Sequence, residues 1–133
     1  MSEQIENPQN EYLRVIVLDD EPIVGKRLQP ALEKMGWQVE VFEEPKKALE
    51  RIDEGNFDIV VTDIYMNEVD GLQVLDRALE KNPDAKVIII TGYAMMEMAR
   101  SAMDKGAFDF IAKPFKPDDL RNIISKAAAS SGS

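Results

Sequence analysis

The chain has 133 residues, enough for one domain with one sizeable core, and neither an internal repeat nor a change of composition asks for a second. A formal net charge of -9 argues against a nucleic-acid surface, which needs clustered Lys and Arg, and points to cations or proteins as partners. Without cysteine or histidine, the chain has no disulfide, no thiolate, no imidazole base and no phosphohistidine of its own, and a reducing compartment is its natural setting.

Residues 1–11 hold nothing a core would take, so a flexible leader is expected there, with order beginning near Tyr12. They also lack the apolar core of a signal peptide. No stretch reaches the roughly 18 apolar residues of a membrane span, and a soluble, cytoplasmic protein is expected. Leu13 to Leu18 is apolar and β-branched apart from Arg14 and then breaks into Asp19, Asp20 and Glu21, which predicts a buried strand ending in carboxylates. Pro22 suits the first turn of a helix, where its missing N–H costs nothing. Val24, Leu28, Ala31, Leu32 and Met35 then recur at helical spacing up to a stop at Gly36. Pro30, inside that helix, predicts a kink between Lys26 and Pro30. Val39, Val41 and Phe42, with Glu40 among them, predict a short edge-like strand. Pro45 opens the next helix, with Ala48, Leu49 and Ile52 on its apolar face, and Gly55 closes it.

Ile59, Val60 and Val61 lead through Thr62 to Asp63, a short run of the kind buried on both faces of a parallel sheet. Open parallel sheets bind ligands beyond the carboxyl ends of their strands, so Asp63 stands where chemistry is expected. Asp70 and Gly71 predict a turn, and Leu72, Leu75, Ala78 and Leu79 a helix that stops before Pro83. Lys86 to Ile90 predict a fourth strand running out into Thr91, Gly92 and Tyr93. Met96, Ala99, Ala102 and Met103 mark the core face of the helix that follows, and Gly106 stops it. Met98 lies roughly 200° around from Met96, either a stray exposed residue or part of a partner surface. Phe108 to Ala112 predict the fifth strand, ending in Lys113, Pro114 and Phe115. Pro117 opens the last helix, with Leu120, Ile123, Ile124 and Ala127 inward, and residues 130–133 read as a linker or tail.

Five strands alternating with five helices specify an α/β fold, a doubly wound parallel sheet with helices on both faces, because each crossover is right-handed. Strand order does not follow from periodicity. Collected at the carboxyl ends are Asp19 and Asp20 after the first strand, Asp63 after the third, Thr91 after the fourth and Lys113 after the fifth. Three converging carboxylates repel one another, and a hard divalent cation such as Mg²⁺ is the simplest neutraliser. A lysine and a hydroxyl opposite them suit phosphoryl oxygens, so the set describes phosphoryl transfer to a carboxylate nucleophile. Taken singly, each residue has a plainer reading. The acids suit a solvated loop or a helix cap, Lys113 a surface, and Phe110 a core position.

The acidic pair Asp19 and Asp20, the DIYM stretch with Asp63, the TGYA stretch with Thr91, the aromatic Phe110 and the KPF stretch with Lys113 together resemble the receiver domain of two-component response regulators. The likeness runs from residue 12 to residue 129. It implies a flavodoxin-like sheet in the order 2-1-3-4-5 and a phosphoacceptor Asp63, loaded from a sensor histidine kinase or phosphotransfer protein. It also implies Mg²⁺ held directly by Asp20, Asp63 and the backbone carbonyl of Tyr65, with Asp19 acting through water. Lys113 would pair with the phosphoryl group, and Thr91 and Phe110 would switch the face made by the fourth helix, fifth strand and fifth helix toward an output domain or protein, with room for a phosphorylation-dependent dimer. Tyr65 and Tyr93 would tune the water that hydrolyses the acyl phosphate. The resemblance further implies a cis Lys113–Pro114 bond. One departure is Asn67, where similar domains often carry proline. Two rival readings remain at this stage. One is a receiver-like protein-binding module that never takes phosphate, against which all the site residues stand. The other is an aspartate-nucleophile, Mg²⁺-dependent phosphatase, whose DxDxT motif the run Asp19, Asp20, Glu21, Pro22 does not match.

Overall fold

A computed structural model describes residues 13–66 and 69–130; the expectations for residues 1–12, for Asn67 and for residues 131–133 lie outside these described residues. Among the described residues, five strands alternate with five α-helices. They are β1 (Arg14–Leu18), α1 (Pro22–Glu33), β2 (Gln38–Phe42), α2 (Pro45–Asp53), β3 (Ile59–Asp63), α3 (Gly71–Lys81), β4 (Lys86–Thr91), α4 (Met96–Asp104), β5 (Asp109–Ala112) and α5 (Pro117–Ser130), with a 3-10 turn at Tyr93–Met95 before α4. The strands form one parallel sheet in the order β2-β1-β3-β4-β5, the doubly wound fold the sequence predicts. Among the described residues no helix is long and apolar enough to cross a membrane.

Alternation along each strand divides the core in two. Ile16, Leu18, Val60 and Ile89 face one side and pack with Ala48 and Ile52 of α2, Val74, Leu75 and Ala78 of α3 and Ala102 of α4. Val15, Val17, Ile59, Val61, Ile88 and Ile90 face the other and pack with Leu28 and Leu32 of α1 and Leu120, Ile124 and Ala127 of α5. Sandwiched between both layers, β3 is buried along its whole length. β2 is an edge strand, as its interleaved charge predicts, and its Glu40 pairs outward with Arg51 at 2.7 Å.

Three local expectations change. Asp70 is not merely a turn residue. Its side chain accepts from the Gln73 N–H at 3.0 Å while the Gln73 side chain accepts from the Asp70 N–H at 3.0 Å, a reciprocal cap on α3. Met103, expected in the core, is 37% exposed, whereas Met98, expected to be exposed or part of a partner surface, packs against the core beside Ala99 and Ala102, joined by Met95 from the turn before α4. The 3-10 turn at Tyr93–Met95 causes this, because it delivers Met95 to the core and rotates the following helix by about one residue. Met35 is also exposed, since α1 ends at Glu33 and the chain turns away through Gly36 at φ 86. Helix α1 runs on through Pro30.

Candidate functional site

Strands β1 and β3 are neighbours with Leu18 in register with Thr62, so the acids that follow them meet at one edge of the sheet. One carboxylate oxygen from each of Asp19, Asp20 and Asp63 lies within 4.8 Å of the others, with Asp19 and Asp63 buried and Asp20 exposed. Asp63 is the last residue of β3, and its Oδ1 accepts from the Tyr65 N–H at 3.2 Å. The loop after it is pinned by Gly71, whose N–H donates to the Ile64 carbonyl at 2.8 Å. A Cβ on Gly71 would sit 2.7 Å from the Asp63 carbonyl oxygen and 2.8 Å from the Ile64 Cα. Only glycine lets the start of α3 close on the backbone of Asp63.

From the far side of β4 comes Lys113. Its backbone N–H donates to the Thr91 carbonyl at 2.7 Å, continuing the β4–β5 pairing by one residue, and its bond to Pro114 is cis, as the resemblance implies. Its ammonium crosses to the acids, with Nζ 2.6 Å from Glu21 Oε1, 3.0 Å from Asp19 Oδ2 and 3.2 Å from Asp63 Oδ2. Burial alone would lower the pKa of Lys113. The hydrogen bond to Glu21 and the charges of Asp19 and Asp63 beside it outweigh it, and the net shift is upward.

Asp19 gains less from the same arrangement. Its Oδ1 accepts from the Glu21 N–H at 2.9 Å, but its buried Oδ2 has no hydrogen-bond partner, because the ammonium 3.0 Å away lies off the bonding direction. Burial therefore raises the pKa of Asp19 despite the opposing pull of the Glu21 N–H and Lys113. Burial decides for Asp19, which is 1% exposed, and pairing decides for the more accessible Lys113. An orphaned buried carboxylate oxygen within a set of three acids is the donor chemistry a hard divalent cation takes, so the residues present fit Mg²⁺.

Thr91 ends β4, one residue beyond the Ile90 that is in register with Asp63, and its hydroxyl donates to the Gly92 carbonyl at 2.9 Å. Phe110 is partly buried against the core and paired in register with Ile89, apart from the acids. Tyr65 and Tyr93 are 63% and 79% exposed. An apolar cleft of about 200 Å³, lined by Val24, Arg27, Leu28, Pro114, Phe115 and Pro117, adjoins Lys113. Sequence reasoning passed over two residues. Glu21 was visible only as the third acid of a run, and Gly71 only as half of an Asp-Gly turn.

Comparison with known proteins bears on the same residues. A family model described as the response regulator receiver domain matches residues 15–125. The chain is 34% identical over 117 residues to the chemotaxis protein CheY of Listeria monocytogenes, covering 87% of this chain and 98% of that protein. It is 35% identical over 113 residues to the response regulator receiver protein CpdR of Brucella abortus, covering 85% and 94%. The transcriptional regulatory protein ZraR of Escherichia coli is 33% identical over 120 residues, 90% of this chain, but the chain spans only 27% of that relative's length. Among solved structures, a response regulator receiver domain protein from Clostridium thermocellum superposes with a TM-score of 0.84 at 29% identity, covering 90% of this chain and 96% of the other.

Proposed function

This chain belongs to the response regulator receiver domain family, and from that premise we propose that Asp63 accepts a phosphoryl group from the phosphohistidine of a sensor histidine kinase or phosphotransfer protein. The observation that carries this reading is the convergence of Asp19, Asp20 and Asp63 on one point with Lys113 reaching in from β5. In the transfer, a carboxylate oxygen of Asp63 bonds to phosphorus as the phosphorus–nitrogen bond of the donor breaks, and the imidazole leaves with the bonding pair. Little covalent chemistry is asked of the protein beyond that nucleophile, so its work is positioning and charge.

Asp20, Asp63 and the backbone carbonyl of Tyr65 would hold Mg²⁺ directly and Asp19 through water. When bound, Mg²⁺ supplies positive charge to the phosphoryl oxygens. Lys113 supplies a second positive charge, fixed by the β4–β5 pairing at its own N–H. The Thr91 hydroxyl turns from the Gly92 carbonyl to the phosphoryl group and draws its loop inward. Phe110 then repacks, which changes the α4–β5–α5 face offered to an output domain, a target protein or a second copy. Tyr65 and Tyr93 crowd the water that would hydrolyse the acyl phosphate and so lengthen its life; their exposure beside the site supports this role. The unit that switches is residues 12–129. It takes one phosphoryl group and slowly releases it, without turning over a diffusible substrate, and the absence of cysteine supports a cytoplasmic setting.

Incubation with acetyl phosphate, with and without Mg²⁺, tests the reading by intact mass. A single base-labile phosphoryl group that needs Mg²⁺ and disappears in Asp63→Asn is expected. No adduct on the parent chain would overturn it, and phosphate released over many turnovers would point to a phosphatase instead.

A further inference from the structure

Lys113 Nζ donates to Glu21 Oε1 and Asp63 Oδ2 and lies 3.0 Å from Asp19 Oδ2, so in this state three carboxylates surround one ammonium. A phosphoryl oxygen arriving there competes with these three for the ammonium. Asp19 cannot swing out, because its side chain is fully buried and held through Oδ1 by the Glu21 N–H. Asp63 is itself the group that takes the phosphorus. Glu21 is different. Its side chain is 59% exposed, so water can receive it, and yet it makes the shortest of the three contacts, at 2.6 Å, against 3.2 Å for Asp63.

We propose that Glu21 is a latch on Lys113, a displaceable counter-ion that shares the ammonium with Asp63 in the resting state and is exchanged for a phosphoryl oxygen on activation. The inference rests on the phosphoacceptor reading and deepens it by naming a residue that regulates the site. The Glu21 carboxylate does not touch the reacting atoms; the residue's backbone N–H, which the substitutions below leave in place, holds Asp19 Oδ1. Glu21 acts through Lys113 and is a positioning residue. Its position at the cap of α1, followed by Pro22, fixes where its side chain starts, and only the reach of a glutamate brings its carboxylate to Nζ. Each phosphorylation must break this pair, so the resting state is favoured by whatever the pair contributes.

The test is the affinity of Mg²⁺-loaded protein for beryllofluoride, read by ¹⁹F resonance of the bound adduct, in the parent chain, Glu21→Gln and Glu21→Asp. An exposed ion pair of this kind predicts binding tighter by about two- to fivefold in Glu21→Gln. Glu21→Asp decides between a latch and a mere negative charge nearby, since it keeps the charge and loses the reach. A latch predicts that Asp behaves like Gln; a through-space effect predicts that Asp behaves like the parent, which overturns the proposal. Without Mg²⁺, the Lys113 ammonium resonance, slowed in exchange by its two acceptors, should be lost in both variants, and its persistence also overturns the latch. Unchanged beryllofluoride affinity in both variants sinks the latch while leaving the role of Asp63 standing. A parent chain that binds no beryllofluoride removes both readings.

Discussion

Strands β3 and β5 each deliver one charge to the same point and are built in opposite ways. β3 lies in the middle of the sheet, with all five of its residues buried, and ends on Asp63. β5 is an edge strand of four residues, of which only Ile111 is fully buried, and it runs straight into Lys113. On the proposed phosphoacceptor reading, the nucleophile must sit still for in-line attack, and central burial gives it that. A strand that reports the charge must have somewhere to move, and half-burial at an edge leaves it low in local stability. The difference teaches that, under this reading, rigidity is placed where the bond would form and compliance where the signal would leave.

The sharpest way to break this comparison is to weaken β3. Ile59→Ala empties a fully buried position and is expected to cost about 2–5 kcal/mol in urea unfolding. A loss no larger than that of an exposed site would mean that β3 is not the rigid member. Gly71→Ala comes next, because its Cβ would meet the Asp63 carbonyl oxygen at 2.7 Å and backbone has no easy way to yield. We expect a loss of about 1–3 kcal/mol together with slower adduct formation at Asp63, read by intact mass.

Asp19→Asn is expected to act in the other direction on stability. A carboxyl whose folded pKa is raised is penalised when ionised, so neutralising it stabilises the fold near neutral pH. The gain should vanish as pH falls through the raised pKa toward the ordinary aspartate value of 3.8, where the parent also carries a proton. Thermal unfolding across that range measures it, and loss of Mg²⁺ binding should accompany the gain. Lys113 has the opposite sign. Its raised pKa contributes stability that is present below the unfolded lysine value and lost as pH climbs above it. A smaller effect is expected for Tyr65→Asn, which should shorten the life of the phosphorylated state without changing unfolding. Equal decay in the two chains would remove the tyrosine from the account. Met103→Ala, on the helix before β5, should change stability by no more than about 0.5 kcal/mol, since its side chain already meets water.

Most of the fold was legible because its signals are local. Apolar runs of fixed length, prolines at helix starts and glycines at helix ends mark β1 to β5 and α1 to α5 without reference to neighbours. The acids and Lys113 were legible for the same reason, each falling just past a recognisable strand. What escaped depends on contacts between distant segments. Gly25 reads as a poor helix residue until α1 is seen lying against Val41 of β2, and Gly71 as a turn residue until it is seen against Asp63. Glu21 and Lys113 are 92 positions apart, and nothing in the acidic run tells which member reaches the lysine. The face of α4 was misread for a different cause. A short 3-10 turn shifts the phase of the helix, and periodicity counted from Met96 cannot detect a turn that begins at Tyr93.

The hydrogen bond from the Lys113 N–H to the Thr91 carbonyl joins two residues whose side chains, on the proposed reading, serve one ligand. Ammonium and hydroxyl are therefore coupled through main chain like two arms of a single lever, and neither can follow the ligand without tugging the other. Slack between the two strands becomes measurable at one atom. The deuterium uptake of that single amide gauges how tightly the lever is held before any phosphate arrives.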